Sequence, residues 1–434
     1  MLFPLWWALG LGAFAFPLLA VPMALQLLRR RPIALPPGFW LWLAFLALNG
    51  LSLIMLSVDP PGTTGGSASG RAVSLLVNLA EYSSATVTLL YVGNLTEREL
   101  PQRRLVRMLA ILFLITLAGG LLGVLAPDFQ FTSPVELLLP TSVRSNLYVA
   151  ALVHPSAAQI QSVLGHSAGR PAAPFGYTNF WGNNLSILLV WFVLWGWRAR
   201  SVLVRAITLA ILAVTVIPVV QSLNRGVWLG LAFTAIYAAV RFAQTGRIAS
   251  LMGLLAAAVA CVAAFAFTPL HGVVQERLAH PQSNDIRGFL SQAAVRGAQE
   301  SPLLGWGGTR KTLGSVQSIT VGATPNCPQC GNFGVGSNGQ LWYVLFSQGF
   351  LGAVLFLGFF LRTAWLYCRQ RSALATAGGL VLLLAPLYAI FYNSLPSALT
   401  LTFISLGVAW RATLVGATPE ASPRPDARRR RSRA

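Results

Sequence analysis

The stretch GVGSNGQLWYVLFSQGFLG, residues 334–352, begins as a glycine-rich loop and passes into a long apolar run. Within this stretch, only a Ser-Gln pair and glycines interrupt the run, and none of them is charged. A helix needs about 20 mostly apolar residues to cross the hydrocarbon core of a bilayer. The stretch therefore predicts a transmembrane helix over residues 338–362, with the polar pair Ser337 and Asn338 at its mouth.

The composition of the whole chain is that of an integral membrane protein. Of its 434 residues, 55% are hydrophobic and only 10% are charged, whereas soluble domains contain roughly 25% charged residues. Runs of about 20 mostly apolar residues recur along the chain. They lie near 3–28, 35–57, 72–94, 105–125, 176–197, 202–221, 226–243, 248–268, 338–362, 374–392 and 396–412. The sequence therefore predicts an all-α, polytopic membrane protein with about eleven transmembrane helices.

The orientation of the helices follows from arginines in the short loops. These are Arg29, Arg30, Arg31, Arg98, Arg103, Arg104, Arg107, Arg198, Arg200, Arg205, Arg241, Arg247, Arg362, Arg369 and Arg371. All fall on one side if the helices alternate, and the positive-inside rule makes that side cytoplasmic. We therefore expect an extracytoplasmic N-terminus, a cytoplasmic C-terminus and multi-pass insertion in a cytoplasmic membrane.

Two long segments, residues 126–175 and 269–337, then lie on the extracytoplasmic side. Their ordinary content of apolar residues predicts folded structure, and long structured connections often carry function. A twelfth crossing or a re-entrant segment within 126–175 stays an alternative. Residues 1–414 are predicted to form a single transmembrane domain, and the Pro- and Arg-rich residues 415–434 a disordered, basic cytoplasmic tail.

The formal net charge of +20 does not indicate nucleic acid, because the positive charge lies in short loops and in the tail. Membrane lipids are the predicted partners of this charge. The four cysteines do not cluster, and Cys327 and Cys330 form a lone CxxC without a nearby histidine, which is weak support for zinc. In an extracytoplasmic loop a local disulfide is favoured over a free or metal-bound pair. We expect no metal site and no cofactor.

Arginines on the predicted outer side are not explained by the positive-inside rule. Arg225 lies where one apolar run ends and the next begins, in QSLNRGVWLGL. Charge at that depth is costly unless it lines a cavity or has a partner. A snorkelling arginine at a helix end is the alternative.

Arg287 lies near the start of a predicted amphipathic helix that ends before Pro302. Ser283 or Asn284 is suited to cap this helix, and Asp285 to its first turn. Its apolar face comprises Ile286, Leu290, Ala293 and Ala294. An anion is favoured at a helix N-terminus that carries an arginine, although a solvated arginine explains the position as well.

Arginines around an outward-facing cavity suit a diphosphate, because the planar guanidinium forms bidentate contacts and keeps its charge. Arg170 and Arg296, in the two outer segments, are further predicted substrate contacts. In GYTNFWGNN, residues 176–184, Asn179 and Asn183 share a helix face. Amides interleaved with aromatic residues such as Tyr177 are typical of a sugar site, and equally of the interfacial aromatic belt.

Glu81 is the one acidic residue well inside a predicted transmembrane helix, which makes it a candidate for substrate binding. A structural role is the alternative. In that case Asn78, Tyr82 and Ser84 or Thr86 would satisfy its carboxylate.

Together, NRGVWLGL, the large outer segment with its arginine and SPLLGWGG, and SNGQLWYVLFSQGFLG resemble, in this order, the O-antigen ligase and polymerase superfamily. The resemblance covers roughly residues 170–360. It implies a GT-C-type fold and an inverting, metal-independent transfer of a glycan from undecaprenyl diphosphate to an acceptor on the extracytoplasmic side. The membrane would be the bacterial inner membrane, and the acceptor a glycan, a lipid or a protein.

Carried over by position, the resemblance implies that Arg225 and Arg287 hold the lipid diphosphate and that Ser337 and Asn338 belong to the catalytic site. Asn179 matches an asparagine at the start of the earlier helix. Gly349 and Gly352 match paired glycines that allow close helix packing.

Ser337 departs from the family pattern, since the ligases are expected to have histidine there. Serine has no comparable proton-accepting state near neutral pH. Either another group accepts the proton or base catalysis matters less in this protein. The candidate bases are His271, His280 and Asp285, with Glu276, His154 and His166 as further candidates. A transporter of anionic lipids or glycolipids and an inactive binding member of the superfamily remain alternatives.

Overall fold

The computed structural model describes residues 2–63, 66–144, 147–161, 166–266, 270–279, 282–312 and 334–417. Three predictions lie outside the described residues: the disulfide between Cys327 and Cys330, the candidate base His280, and most of the basic tail. The last described helix continues to Ala417, a few residues beyond the predicted end of the transmembrane domain.

The described chain is 72% helix and 4% strand. Six of its helices are long and apolar enough to cross a membrane, namely Ala68–Asn94, Gln102–Leu125, Val202–Gln221, Arg225–Gln244, Gln340–Cys368 and Ser397–Leu414. Shorter apolar helices are Ala15–Leu28, Phe39–Met55, Ile248–Ala260 and Ala373–Ala389. These helices confirm the mostly helical architecture of a membrane protein.

Every predicted apolar run contains a helix, but the first run contains two, α1 (Phe3–Ala8) and α2 (Ala15–Leu28). The chain breaks at Gly10, which has a φ of +79° and packs against Ser133 and the carbonyl group of Val153. A side chain at residue 10 would clash with both, and only glycine adopts such a φ readily. The prediction of one continuous helix over residues 3–28 was therefore wrong.

Two aromatic and aliphatic cores hold the helices together. Around α3 (Phe39–Leu51), α4 (Ala68–Asn94) and the C-terminal helices, Trp42 is fully buried among the rings of Phe45, Tyr82, Phe359 and Phe403. The second core joins α5 (Gln102–Leu125), α9 (Thr178–Trp197), α10 (Val202–Gln221) and α11 (Arg225–Gln244) with the C-terminal helices. Next along the chain is α12 (Ile248–Ala266).

Residues 126–175 fold into short elements. These are α6 (Pro134–Leu138), α7 (Thr141–Arg144), α8 (Leu147–Val153) and an antiparallel pair of strands, β1 (Ala158–Gln161) and β2 (Ala168–Pro171). The helices have at most 7 residues, whereas a crossing takes about 20. The described part of this segment therefore contains no twelfth transmembrane helix, and its strands were not predicted.

The segment 269–337 contains α13 (Leu270–Ala279) and α14 (Gln282–Glu300). Because α14 begins at Gln282, Ser283 and Asn284 lie inside the helix, and their prediction as caps was wrong. Asp285 does lie in the first turn. Leu290, Ala294 and Ala298 are buried, which confirms an amphipathic helix.

The longest helix, α15 (Gln340–Cys368), is interrupted at Gly349, where φ is 66° and ψ is −169°. The loop after α14 closes this break. Its backbone N–H groups at Trp306 and Gly307 donate to the carbonyl groups of Phe346 and Ser347 at 3.0 and 2.8 Å. The helices α16 (Ala373–Ala389) and α17 (Ser397–Ala417) pack beside α15.

Candidate functional site

Four arginine side chains lie close enough to influence one another's charge: Arg170 on β2, Arg225 at the start of α11, Arg277 on α13 and Arg287 on α14. Burial is the main cause that lowers the pKa values of Arg170, Arg277 and Arg287. The charges of Arg277 and Arg287 lower the pKa of Arg170 further, and the charge of Arg225 lowers the pKa values of Arg277 and Arg287 further. Like charges repel, so a cluster of this kind favours a bound anion. We call these four residues the arginine cluster.

Arg170 is only 8% exposed, and two hydrogen bonds hold its side chain in place. Its Nε donates to the carbonyl group of Ser222 at 2.7 Å, and its Nη1 donates to the Oε1 of Gln161 on the paired strand. Burial, followed by the charge of Arg277, lowers the pKa of Arg170 to about 10. The side chain is therefore still charged at neutral pH, and its charge lies next to the turn that precedes Arg225.

Arg277 is buried and was not predicted as a site residue. Its Nε donates to the carbonyl group of Leu223 at 3.2 Å. Leu223 has a φ of 54°, a left-handed conformation that costs a non-glycine residue on the order of 1–3 kcal/mol and often marks functional sites. Arg277 and Arg170 thus bind two successive residues of the same turn, Leu223 and Ser222, and hold the start of α11.

Arg287 joins α14 to the polar mouth of α15. Its Nη1 donates to the carbonyl groups of Phe391 at 2.9 Å and Asn338 at 3.3 Å. The Nδ2 of Asn338 donates in return to the carbonyl group of Arg287 at 3.3 Å and to the Oγ of Ser291 at 2.9 Å. The Oδ1 of Asn338 is buried and has no hydrogen-bond partner among the residues that the structure describes. Arg287 and Asn338, which were both predicted as site residues, therefore contact each other.

A layer of neutral polar side chains lies beside the arginines. Asn224 precedes α11, accepts a hydrogen bond from the hydroxyl of Tyr392 and donates from its Nδ2 to the Oδ1 of Asn179 at 3.2 Å. Asn179, a predicted substrate-binding residue, thus contacts Asn224, the residue that precedes Arg225.

The charge of the cluster is not neutralised at Arg170 and Arg287. Within the part of the chain that the structure describes, both side chains donate hydrogen bonds to neutral oxygen atoms, and neither forms an ion pair with a carboxylate. Guanidinium groups with this surplus of charge are suited to a phosphate-containing ligand.

Ser337 is exposed, and its hydroxyl takes part in a backbone turn. Its Oγ donates to the carbonyl group of Gly334 at 2.7 Å, within a tight turn. The hydroxyl therefore stabilises the approach to α15.

The candidate bases are placed differently. Asp285 is exposed on α14, two residues before Arg287, and residues two apart on a helix do not face each other. His271 is exposed on α13. His154 contacts Glu136 at 2.8 Å, and His166 contacts Glu276 at 3.4 Å. The geometry does not single out a base.

Glu81 lies on α4, and the four predicted partners bond elsewhere. Asn78 donates to the hydroxyl of Tyr343 at 2.6 Å, and the hydroxyl of Tyr82 accepts from the Nε2 of Gln340 at 2.6 Å. Ser84 and Thr86 donate to backbone carbonyl groups. None of these described bonds satisfies the carboxylate, and substrate binding by Glu81 stays a prediction.

Two other predicted contacts lie apart from the hydrogen bonds of the cluster. Tyr177 precedes α9 and packs edge-on against Phe180. Arg296 lines a separate cavity between α14 and α15. Among the described residues, no group of three or more His, Cys, Asp and Glu is placed to hold a metal ion.

Comparison of the chain with protein-family models, with curated proteins and with solved structures gave no match. The resemblance to the O-antigen ligase and polymerase superfamily therefore stays a hypothesis that rests on the order of its motifs.

Proposed function

We propose that this protein is a membrane glycosyltransferase that moves a glycan from a polyprenyl diphosphate, such as undecaprenyl diphosphate, to an acceptor hydroxyl. The arginine cluster carries this proposal, because four guanidinium groups near the start of the apolar helix α11 suit a diphosphate on a lipid. The GT-C-type fold and the extracytoplasmic position in a bacterial inner membrane belong to the same proposal. The acceptor is a glycan, a lipid or a protein, which makes the enzyme a ligase or a polymerase.

The cluster would act mainly on the leaving group. As the bond between the anomeric carbon and the diphosphate oxygen breaks, its electron pair passes to that oxygen and negative charge grows there. Arginines fixed in advance at this position stabilise the transition state more than the ground state. Arg170 and Arg277 would hold Arg225 in place through the turn at residues 222 and 223.

The acceptor hydroxyl attacks the anomeric carbon from the opposite side, which inverts its configuration. A new bond forms between the acceptor oxygen and the anomeric carbon, and the hydroxyl proton passes to water or to a nearby base. Ser337 is not that base, because its hydroxyl is used in the turn at Gly334 and has no proton-accepting state near neutral pH.

Purified protein with a polyprenyl-diphosphate oligosaccharide tests the proposal. We expect polyprenyl diphosphate to be released and the acceptor to be extended, and we expect Arg225→Ala and Arg287→Ala to abolish transfer. Arg247→Ala, an exposed arginine outside the cluster, is the matched control and should retain full activity. Absence of turnover with every donor, or full activity of both cluster variants, would remove the proposal.

One observation favours a second function, the transport of an anionic lipid. The break in α15 at Gly349 makes that helix discontinuous, and discontinuous helices are typical of transporters. Movement of lipid across liposomes without bond cleavage would establish transport instead of transfer.

A further inference from the structure

A cavity of about 450 Å³ lies between α14 and the start of α15 and is separate from the arginine cluster. It is lined by Ser291, Gln292, Val295, Arg296, Gln299 and Trp342. Small-molecule sites occupy roughly 300–1,000 Å³. The cavity is thus large enough for part of a small ligand.

The cavity is connected to the proposed reaction site through one residue. Ser291 lines the cavity and also accepts a hydrogen bond from Asn338, whose carbonyl group accepts from Arg287. Ser291 follows Arg287 by one helical turn, and a turn rises about 5.4 Å. A ligand in the cavity would therefore extend along α14 away from the arginine cluster.

The polar groups of the cavity share one face of α14. Gln292, Arg296 and Gln299 are spaced at i, i+4 and i+7, which places them on one side of a helix, and all three are exposed. Each carboxamide offers both donors and an acceptor, and the guanidinium offers five donors. This mixture suits the hydroxyl groups of a sugar, which donate and accept at once.

The apolar wall of the cavity is rigid. The indole Nε1 of Trp342 donates to the carbonyl group of Ile390 at 2.9 Å, which fixes the ring. On the other side of α14, Gly297 packs against the ring of Phe346, and the Nε1 of Trp306 donates to the Gly297 carbonyl group at 2.8 Å. A fixed aromatic ring beside carboxamides provides both an apolar surface and polar contacts for a sugar ring.

We propose that this cavity binds sugar residues of the acceptor, next to the hydroxyl that attacks the donor. That the bound sugar belongs to the acceptor rests on the proposed function. Saccharide binding itself does not depend on turnover. The cavity adjoins Asn338 through Ser291, so donor and acceptor would meet near Asn338.

The double variant Gln292→Ala/Gln299→Ala tests the proposal by kinetics. Each lost hydrogen bond costs about 0.5–1.5 kcal/mol, so KM for the acceptor should rise about 5- to 100-fold while kcat changes little. Cleavage of the donor by water, which needs no acceptor, should be unchanged. Glu300→Ala, an exposed neighbour on the same helix that does not line the cavity, should leave KM unchanged. An unchanged KM in the double variant would overturn the proposal.

Saturation-transfer NMR with cellotriose, maltotriose and chitotriose provides a readout that does not depend on transfer. We expect at least one trisaccharide to bind the full-length protein and the double variant to lose it. Binding without any turnover would refute the proposed function and leave the saccharide site standing. If none of the three trisaccharides binds, the saccharide site is overturned. It is also overturned if anionic phospholipid displaces the bound sugar and this displacement depends on the same two glutamines.

Discussion

Replacement of Gly349 by alanine tests whether the break in α15 is built into the fold. The residue has a φ of 66° and a ψ of −169°, a backbone conformation that is essentially restricted to glycine. A Cβ atom at this position would lie 2.6 Å from the carbonyl carbon of Pro302 and 2.7 Å from the carbonyl oxygen of Ser301. Both contacts are to backbone, so neither can be relieved by rotating a side chain.

The expected cost follows from these two terms. A strained backbone of this kind costs about 1–3 kcal/mol, and overpacking in a close-packed interior costs about 1–3 kcal/mol more. We therefore expect Gly349→Ala to lower the free energy of unfolding by roughly 2–6 kcal/mol. Gly358 lies in the same helix, and a Cβ there would meet none of the described residues within 4 Å. Gly358→Ala should be neutral or stabilise by about 0.5–1 kcal/mol, because alanine has the higher helix propensity.

Unfolding by SDS in mixed micelles, followed by tryptophan fluorescence, compares the two variants under the same conditions. The two glycines differ in environment and not in the substitution, so the comparison isolates the break. If both variants unfold within about 1 kcal/mol of each other, α15 is continuous at Gly349 and the reasoning fails. Transfer activity should fall in Gly349→Ala and be retained in Gly358→Ala.

Three further predictions concern single side chains. Arg277→Ala should lower transfer about 10- to 100-fold, because a charged hydrogen bond contributes about 1.5–3 kcal/mol, while Arg247→Ala should leave the rate unchanged in the same assay. Tyr392→Phe should destabilise by about 1–3 kcal/mol because it leaves a buried amide oxygen unpaired; Tyr367→Phe, whose hydroxyl has no hydrogen-bond partner in the described part of the chain, should be neutral in the same SDS titration. Arg310→Ala should lower the free energy of unfolding by about 1.5–3 kcal/mol, because this buried guanidinium binds backbone carbonyl groups of two loops; a loss below about 0.5 kcal/mol would contradict that role.

The helices were predictable because the signal for a transmembrane helix is the length and apolarity of one continuous segment. The interruptions were not, since they depend on distant contacts. Gly10 breaks the first run because it packs against Ser133, more than a hundred residues away. The strand pair was missed because its stability comes partly from Arg170, whose guanidinium bonds to Gln161 across the pair and to Ser222 beyond it.

The site residues show the same division between features that the sequence reveals and features that depend on distant contacts. Arg225 and Arg287 were predicted because an arginine on the outer side has no topological explanation. Arg277 was missed because it follows Glu276 in a short helix, where a charged side chain is typical of a solvated surface. Its burial and its bond to Leu223 arise only when α13 meets the turn before α11. Sequence periodicity carries no information about such a meeting.

The break in α15 also explains how Arg287 is held near Asn338. Their mutual hydrogen bonds are long, at 3.3 Å, and contribute little to positioning. Stronger constraints lie at the far end of α14, where the loop that follows Glu300 enters the break and its N–H groups bond to the carbonyl groups that Gly349 leaves open. This attachment holds α14 against the first turns of α15. The 2.9 Å hydrogen bond from Asn338 to Ser291 holds Asn338 to α14 locally, and the attachment in the break acts about three turns away from Arg287 and Asn338. A change at Gly349 should therefore act on the reaction without contacting the substrate.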